Sequence, residues 1–371
     1  MIGSILIFII VLSILVLVHE WGHFVMARRA GVLVEEFGFG LPPRIFGIKK
    51  GETLYSINAL PFGGFVKLHG ESTEESVTDP KRAFLNLNKR KRIGIIVAGV
   101  VMNFILAIFA FMIVYSFSGI PRETGKLKIV DISQGSPAQI AGLVVGDVIT
   151  KVGTDKVATV DEFISKVSTV KGKTTNFEIV RNVSGADQNI KLQMKPREDP
   201  PKGEGSLGVT ITSMEIYFAP VWQRPFYGIY YGFKEAIFWG KTIVLGLGSL
   251  IAGIFQGNVS EQVSGPVGIF AVTTEAARNG ILTLINFVGI LSVNLAVLNI
   301  LPFPALDGGR LLFIAIESVI GKKIIPKVES TIHTVGMILL LMLFLAITIG
   351  DIKKLIVAGG IDGFIKSIQP K

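Results

Sequence analysis

Four long apolar stretches constrain this chain more than any other feature of its sequence. They cover 2 to 27, 93 to 117, 281 to 301 and 332 to 350. Crossing a hydrocarbon core of about 30 Å takes roughly 20 helical residues, so each stretch is long enough to span a bilayer. Half of the chain is hydrophobic (50%) and only 18% is charged, which is atypical of a soluble protein. We therefore expect an α-helical polytopic membrane protein with about four transmembrane helices.

The distribution of lysine and arginine predicts the orientation of these helices. The loop from 28 to 92 is rich in both, whereas no basic residue precedes the first helix, so this loop is expected in the cytoplasm. The loop before the last span is also basic. Both termini and residues 119 to 280 are then extracytoplasmic, although the basic C-terminal tail weakly opposes this. The net charge of +9 therefore reflects topology, and we expect no nucleic-acid partner.

Composition divides the rest of the chain into segments. Apolar and polar residues alternate between 34 and 68 with Gly and Pro interruptions, which predicts a small cytoplasmic, membrane-associated β-sheet. Mixed charges and short β-type runs from 125 to 215 predict one extracytoplasmic α+β domain. The expected segments are transmembrane helix 1 (1–30), the cytoplasmic β-loop and basic linker (31–92), transmembrane helix 2 (93–118), the extracytoplasmic domain (119–215), interfacial helices (216–280), transmembrane helix 3 (281–303), a cytoplasmic loop (304–331), transmembrane helix 4 (332–350) and a C-terminal tail (351–371).

The first span carries the sequence His19-Glu20-Trp21-Gly22-His23, an HExxH motif. On a helix the two imidazoles lie four residues apart on one face and can share a zinc ion, while Glu20 can take a proton from a metal-activated water. A chance match on a helix end is the alternative. Ionisable groups at membrane depth are costly, and the chain has only four His, so we expect a zinc site of hydrolytic type.

A catalytic zinc needs a third protein ligand and an open position. Asp307, just after the third span, is expected to reach the same depth as the His pair and is the best candidate. Its alternative role is that of a turn residue or helix N-cap before Gly308 and Gly309. Four other residues are weaker candidates for the third ligand. His69 lies in the basic loop, Glu35 and Glu36 lie in an apparent strand, and His333 lies at the start of the last span.

The borderline apolar stretch 236 to 255 is constrained by the same topology. If it crossed the membrane, Asp307 would end on the outer face, remote from His19 and His23. We therefore expect residues 222 to 256 to form aromatic-rich helices on or near the outer surface.

These features together resemble the bacterial site-2 proteases over nearly the whole chain. The resemblance rests on HEWGH in the first span, NILPFPALDG from Asn299, GPVGI from Gly265 and the intervening domain. It implies an intramembrane zinc metalloprotease of a bacterial inner membrane that cleaves transmembrane protein substrates, such as pre-trimmed anti-sigma factors or signal-peptide remnants. It also implies the residue roles: zinc on His19, His23 and Asp307, a general base at Glu20, and substrate contacts from Asn299, Pro302 and Pro304.

The extracytoplasmic domain resembles a PDZ domain in the stretch GSPAQIAGLVVGDVIT from Gly135. Leu207, Gly208 and Val209 are candidates for the loop and strand edge that accept an extended peptide. A degenerate domain that only spaces or plugs is the alternative. Some relatives carry two such domains in tandem, whereas this chain has room for one, so substrate exclusion by a pair cannot be transferred to it.

Residues Gly64, Phe65 and Val66 of the cytoplasmic β-segment are candidate substrate contacts. A helical substrate cannot be cleaved while its peptide groups are hydrogen-bonded within the helix. An exposed strand edge could pair with the substrate backbone and hold it in an extended conformation. A structural hairpin that caps the site is the alternative.

Two other functions compete with proteolysis. A proteolytically inactive, PDZ-bearing membrane adaptor would be expected to have lost Glu20 or a ligand, and all are present. A transporter would normally show inverted repeats and more crossings.

Overall fold

The computed structural model describes residues 2–71, 77–256, 265–322, 324–360 and 363–364. These residues form two compact units, Met1–Ser118 with Pro220–Lys371 and Gly119–Ala219. The predicted C-terminal tail, 351–371, lies partly outside the described residues.

The helices and strands alternate along the chain in a mixed order. The helices are α1 (Ile2–Ala30), α2 (Lys89–Ser118), α3 (Pro137–Ile140), α4 (Val160–Thr169), α5 (Arg224–Phe255), α6 (Pro266–Arg278), α7 (Ile281–Ile300), α8 (Asp307–Ile320) and α9 (Pro326–Val357). The strands are β1 (Val34–Lys50), β2 (Thr53–Leu68), β3 (Ile120–Ile132), β4 (Val148–Val152), β5 (Asp155–Lys156), β6 (Thr175–Val183), β7 (Ala186–Met194) and β8 (Val209–Tyr217).

Five helices among the described residues are long and apolar enough to cross a membrane: α1, α2, α5, α7 and α9. The sequence predicted about four. The additional helix is α5, a continuous helix of 32 residues. Length and composition qualify α5 as a span, and the five helices together make the chain a membrane protein.

Residues 222 to 256, expected as helices on or near the outer surface, form one continuous helix, α5, over most of their length, and their place relative to the membrane stays a prediction. Helix α5 runs antiparallel along α2, from Ser116 Oγ bonded to the Arg224 carbonyl down to a Phe104–Phe233 ring contact. Gly228 and Gly232 face the α2 backbone, where a Cβ would be too close to Met112 and Ile108. The sequence argument counted crossings only, and the structure has a further helix, α6, between α5 and α7.

The first unit also holds a sheet built from two long antiparallel strands. Both strands bend, so residues 36 to 39 of β1 pair on one side with 64 to 67 of β2 and on the other with 54 to 57. The last part of β2, including Gly64, Phe65 and Val66, therefore forms an edge of this sheet and packs beside α1. A cluster that includes Ala27, Val34, Ile95 and Ile314 joins the sheet to α1, α2 and α8.

Helices α2 and α8 are tied by a buried ion pair. Arg92 Nη1 lies 2.9 Å from Glu317 Oε2, and the two side chains are 3% and 4% exposed. Lys89 Nζ also donates to the Glu317 carbonyl. Removing one partner of such a pair leaves a buried charge, at a cost of about 3–5 kcal/mol. This pair therefore holds α8, and with it Asp307 at the first turn of α8, against α2.

The second unit is an antiparallel sheet in the order β7-β6-β4-β3-β8, with β5 on β4. Its core includes Leu127, Ile149, Phe163 and Phe177. Helix α4 begins with a capping box between Thr159 and Glu162 and lies against β8, an edge strand. The α+β character agrees with the sequence; the PDZ assignment stays a prediction.

Candidate metal centre

Three side chains from two distant parts of the chain converge in the first unit. Asp307 Oδ2 lies 3.0 Å from His19 Nε2 and 3.2 Å from His23 Nε2. The two imidazole Nε2 atoms are 3.1 Å apart. The side chains are 10%, 12% and 19% exposed for His19, His23 and Asp307. The three ligand atoms thus form a compact, largely buried triangle.

The His pair follows from helix geometry, because residues four apart share one face of α1. Asp307 arrives through a reversal of the chain after α7. Gly308 and Gly309 let the start of α8 pass under that reversal, since a Cβ at either position would collide with carbonyls of Leu301 or Phe303. Asp307 occupies the first residue of α8 and makes no side-chain cap: the N-cap is Leu306, without a capping hydrogen bond. Its carboxylate therefore faces the His pair and does not cap its own helix.

Helix α2 forms the floor of this site. At Gly99 a Cβ would lie 2.7 Å from His19 Cε1 and still closer to His23 Nε2. At Gly22 of α1, between the two His, a Cβ would collide with the Ala98 carbonyl. The two helices thus approach closely at the motif because both contact positions lack side chains.

Groups on α2 also orient the imidazoles. His23 Nδ1 lies 2.9 Å from the Ile95 carbonyl, which can only accept, so the proton sits on Nδ1 and Nε2 keeps its lone pair. His19 Nδ1 lies 3.3 Å from the Asn103 amide. Asn103 Oδ1 is buried and has no partner among the described residues. If the side-chain amide of Asn103 is turned by 180°, its Oδ1 accepts a hydrogen bond from His19 Nδ1–H. His19 Nε2 then keeps its lone pair, as His23 Nε2 does.

A cavity of about 720 Å³ opens beside the triangle. Glu20 lines it together with His19, His23 and Asp307, so the predicted base and the candidate ligands share one space. The edge of β2 forms another wall: Phe65 and Val66 line the cavity, and a Cβ at Gly64 would lie 3.5 Å from Glu20 Cγ. The start of α9 closes a further side.

The weaker ligand candidates are placed elsewhere or engaged in other contacts. Glu35 Oε1 lies 2.7 Å from His69 Nδ1, and Glu35 Oε2 lies 3.2 Å from Lys67 Nζ. Partial burial alone would raise the pKa of Glu35, but the hydrogen bonds from His69 and Lys67 outweigh it and lower that pKa. Glu36 lies in β1. Among the described residues, the group able to share one metal ion is His19, His23 and Asp307.

The donor set fits zinc. Two imidazole nitrogens and one carboxylate oxygen are ligands that catalytic zinc uses, with a fourth position left for water or substrate. Ligands at about 2.0–2.2 Å in tetrahedral coordination stand roughly 3.3–3.6 Å apart. The observed separations of 3.0 to 3.2 Å are close to that spacing.

The other predicted substrate contacts are distributed differently. Asn299 and Pro302 lie at the end of α7 and in the following reversal, and they do not line the cavity as Ala305 and Leu306 do. Pro304 packs under α9, where a Cβ on Gly336 would collide with it. In the second unit, the carbonyls of Leu207 and Gly208 already accept from Ala138 and Ser133, and Val209 begins β8 opposite Ile132.

Sequence reasoning missed several residues of this region. Gly99 was not assigned to the site. Asn103 carried a usable signal, because it is a strongly polar side chain in the middle of an apolar span. Arg310, one turn after Asp307, pairs with Glu71, three residues after the end of β2, and both line the cavity. His333 was set aside as a ligand, but it too lines the cavity.

Comparisons with known proteins identify zinc metalloprotease relatives that match nearly the whole chain. The family model described as Peptidase family M50 matches residues 7–343. A Clostridium acetobutylicum protein whose name predicts zinc metalloprotease activity is 36% identical over 349 residues, covering 94% of this chain and 97% of the relative. The zinc metalloprotease RasP of Geobacillus kaustophilus is 31% identical over 427 residues, covering 95% and 98%. RasP of Oceanobacillus iheyensis is also 31% identical, covering 94% and 98%.

Proposed function

The chain belongs to peptidase family M50 and is a membrane zinc metalloprotease, and we propose that it cleaves other membrane proteins within or beside their transmembrane segments. The observation that carries this proposal is the position of the site: two members of the ligand triangle, His19 and His23, lie with Glu20 on α1, a helix long and apolar enough to span the bilayer. A site built into such a helix meets its substrate at membrane depth.

The residues divide the chemistry between them. His19, His23 and Asp307 would hold zinc, which would supply a Lewis acid that lowers the pKa of water and polarises a peptide carbonyl. Glu20 accepts the proton of the attacking water on its carboxylate. It then delivers that proton to the leaving amine nitrogen as the carbon–nitrogen bond breaks. No covalent bond between the chain and the substrate is required.

The edge of β2 supports a way of holding the substrate. Peptide bonds in a helix are engaged in their own hydrogen bonds, so a helical segment must be extended before cleavage. Gly64, Phe65 and Val66 lie on a sheet edge that borders the cavity next to Glu20. A substrate strand that adds to this edge would pass directly over the catalytic carboxylate.

The first experiment compares the wild type with Val66→Pro in detergent, on a model substrate with one helical membrane segment and on an unfolded peptide of the same sequence. We expect zinc-dependent cleavage that maps by mass spectrometry to the apolar segment. Proline removes an N–H from the strand and should lower cleavage of the helical substrate roughly tenfold more than that of the unfolded one.

The unfolded peptide is the internal control for damage to the site itself. Cleavage confined to soluble segments would contradict the intramembrane proposal. Equal losses on both substrates would contradict only the role of the β2 edge.

We further propose that the enzyme resides in a bacterial inner membrane, with β1 and β2 on the cytoplasmic side and the second unit outside, where the unit acts as a PDZ domain. The basic residues of the 28 to 92 loop support the orientation. Edge strand β8 beside α4, with Leu207 to Val209 at its start, supports a groove for an extended peptide.

Because the chain has no cysteine, single cysteines can test both ideas. In intact cells, Thr210→Cys on β8 should react with a membrane-impermeant maleimide, whereas Lys49→Cys on β1 should react only after permeabilisation. Substrate bound in the groove should slow labelling at Thr210→Cys. The opposite accessibility would overturn the orientation, and unchanged labelling with substrate would argue against the groove.

A further inference from the structure

His333 presents a hydrogen-bond donor that no described residue uses. It lies near the start of α9 and lines the same cavity as Glu20 and the ligand triangle. Its Nδ1 accepts a hydrogen bond of 3.0 Å from the Ala305 backbone N–H. Its Nε2 is buried and has no hydrogen-bond partner in the part of the chain that the structure describes.

The contact with Ala305 fixes the proton on this ring. A nitrogen that accepts from a backbone N–H carries no proton, and a neutral imidazole then holds its proton on the other nitrogen. His333 is therefore an Nε2–H donor. A buried donor left unpaired costs about 1–3 kcal/mol, and such groups in native structures call for an explanation, for which a catalytic role and a bound water are both known.

The backbone at the same place is strained. Ala305 has a φ of 81°, in the left-handed region that a side chain disfavours. It lies two residues before Asp307, in the reversal that delivers that ligand. Strained residues of this kind persist where the surrounding structure holds them and are concentrated at functional sites. The imidazole of His333 thus faces the ligand-bearing loop on one side and retains a free donor on the other.

The charged donors around the cavity are engaged elsewhere. Arg92 pairs with Glu317, Lys67 with Glu35, and Arg310 with Glu71. Each of these cations is held in an ion pair, and the Nε of Arg92 is a further buried donor without a hydrogen-bond partner among the described residues. The Nε2–H of His333, by contrast, belongs to a neutral ring that lies next to the loop carrying Asp307.

We propose that His333 is a catalytic residue whose Nε2–H donates a hydrogen bond to the carbonyl oxygen of the peptide bond being cleaved. The inference rests on the proposed function. As water adds to the carbonyl carbon, its proton passes to Glu20 and negative charge develops on the carbonyl oxygen. His333 stabilises that charge and keeps its own proton throughout. The proton on Glu20 then passes to the amine nitrogen as the carbon–nitrogen bond breaks.

Two amide substitutions separate this role from a purely structural one. In His333→Asn the side-chain oxygen can replace Nδ1 as the acceptor for Ala305, but no donor reaches the place of Nε2. In His333→Gln the longer side chain brings an amide N–H toward that place. Thr331→Ala is the matched control, because its hydroxyl bonds only to the Lys327 carbonyl of the same helix in the described structure.

The measurements are kcat and KM on the model membrane substrate, together with the zinc content of each purified protein. Removal of one donor to a developing oxyanion typically lowers kcat about 100- to 1000-fold. We expect that loss in His333→Asn, with KM within about threefold of the wild type and zinc retained. His333→Gln should recover at least tenfold of the loss, and Thr331→Ala should match the wild type.

Equal losses in the two amide variants, a smaller loss in His333→Asn, or loss of zinc from either would overturn the role of His333. The wild type and Glu20→Gln are measured in the same series. Cleavage by the wild type that Glu20→Gln abolishes supports the proposed function whatever His333 does. Activity that survives Glu20→Gln refutes that function separately.

Discussion

Asp307→Ala is expected to lose both bound zinc and proteolysis, whereas Glu20→Gln should keep the zinc and lose only the proteolysis. Asp307 Oδ2 lies within 3.2 Å of both imidazole nitrogens, so its removal leaves two ligands where catalytic zinc uses three. Glu20 lines the cavity without belonging to the ligand triangle. Its amide replacement cannot take a proton, which should lower kcat by about 100- to 10,000-fold.

The check is metal content by mass spectrometry beside kcat on the model membrane substrate. Glu329→Gln serves as the control for removing a carboxylate from the cavity wall, because Glu329 lines the cavity but is not in the ligand triangle. It should retain zinc. A fully loaded Asp307→Ala protein would show that the third ligand has been misassigned. Cleavage near the wild-type rate in Glu20→Gln would show that Glu20 is not the general base. If neither the wild type nor any variant bound zinc or cleaved the substrate, the inactive membrane adaptor would be the better interpretation.

Gly99→Ala should damage the same site from the opposite helix. The added methyl group would lie 2.7 Å from His19 Cε1 and closer still to His23 Nε2, where no real Cβ fits. Either imidazole must move or the two helices must separate. A displacement of about 1 Å at a catalytic site can cost 100-fold, so we expect kcat/KM to fall by roughly that factor, together with weaker zinc binding.

The direction of this effect distinguishes it from a general loss of stability. Alanine has a higher helix propensity than glycine, by about 1 kcal/mol. The substitution would therefore stabilise α2 if the added methyl group did not disturb the packing against α1. Gly94→Ala on the same helix is the control, because its Cβ would make an ordinary 3.6 Å contact with Met26 Cε. A Gly99→Ala protein with normal zinc content and normal kcat/KM would mean that α1 and α2 do not meet as the structure shows.

Much of the site was predictable because its signals are local. The resemblance to bacterial site-2 proteases and the zinc cofactor are confirmed by the family match and the named relatives. The position of Asp307 was inferred from the depth at which α7 should end. The structure brings Asp307 to the His pair, and its role there is a proposal that the metal measurements test.

Two features could be interpreted only from the tertiary structure. The placement of α5 was argued from a count of crossings, but the glycines that let α5 pack along α2 can be interpreted only once the partner helix is known. His333 was judged as a zinc ligand and set aside, whereas its second nitrogen becomes meaningful only when Ala305 is seen to occupy the first.

The sequence alone determined that this is a membrane protein, that His19 and His23 share one face of a helix, and that Glu20 is the candidate base between them. These properties follow from hydropathy and helical periodicity, which relate residues that are close in the sequence. The tertiary structure decided which helices touch, that Gly99 and Asn103 border the candidate metal centre, and that the β2 edge and His333 border one cavity. Such contacts join residues up to hundreds of positions apart, and they depend on how helices cross, which no local pattern encodes.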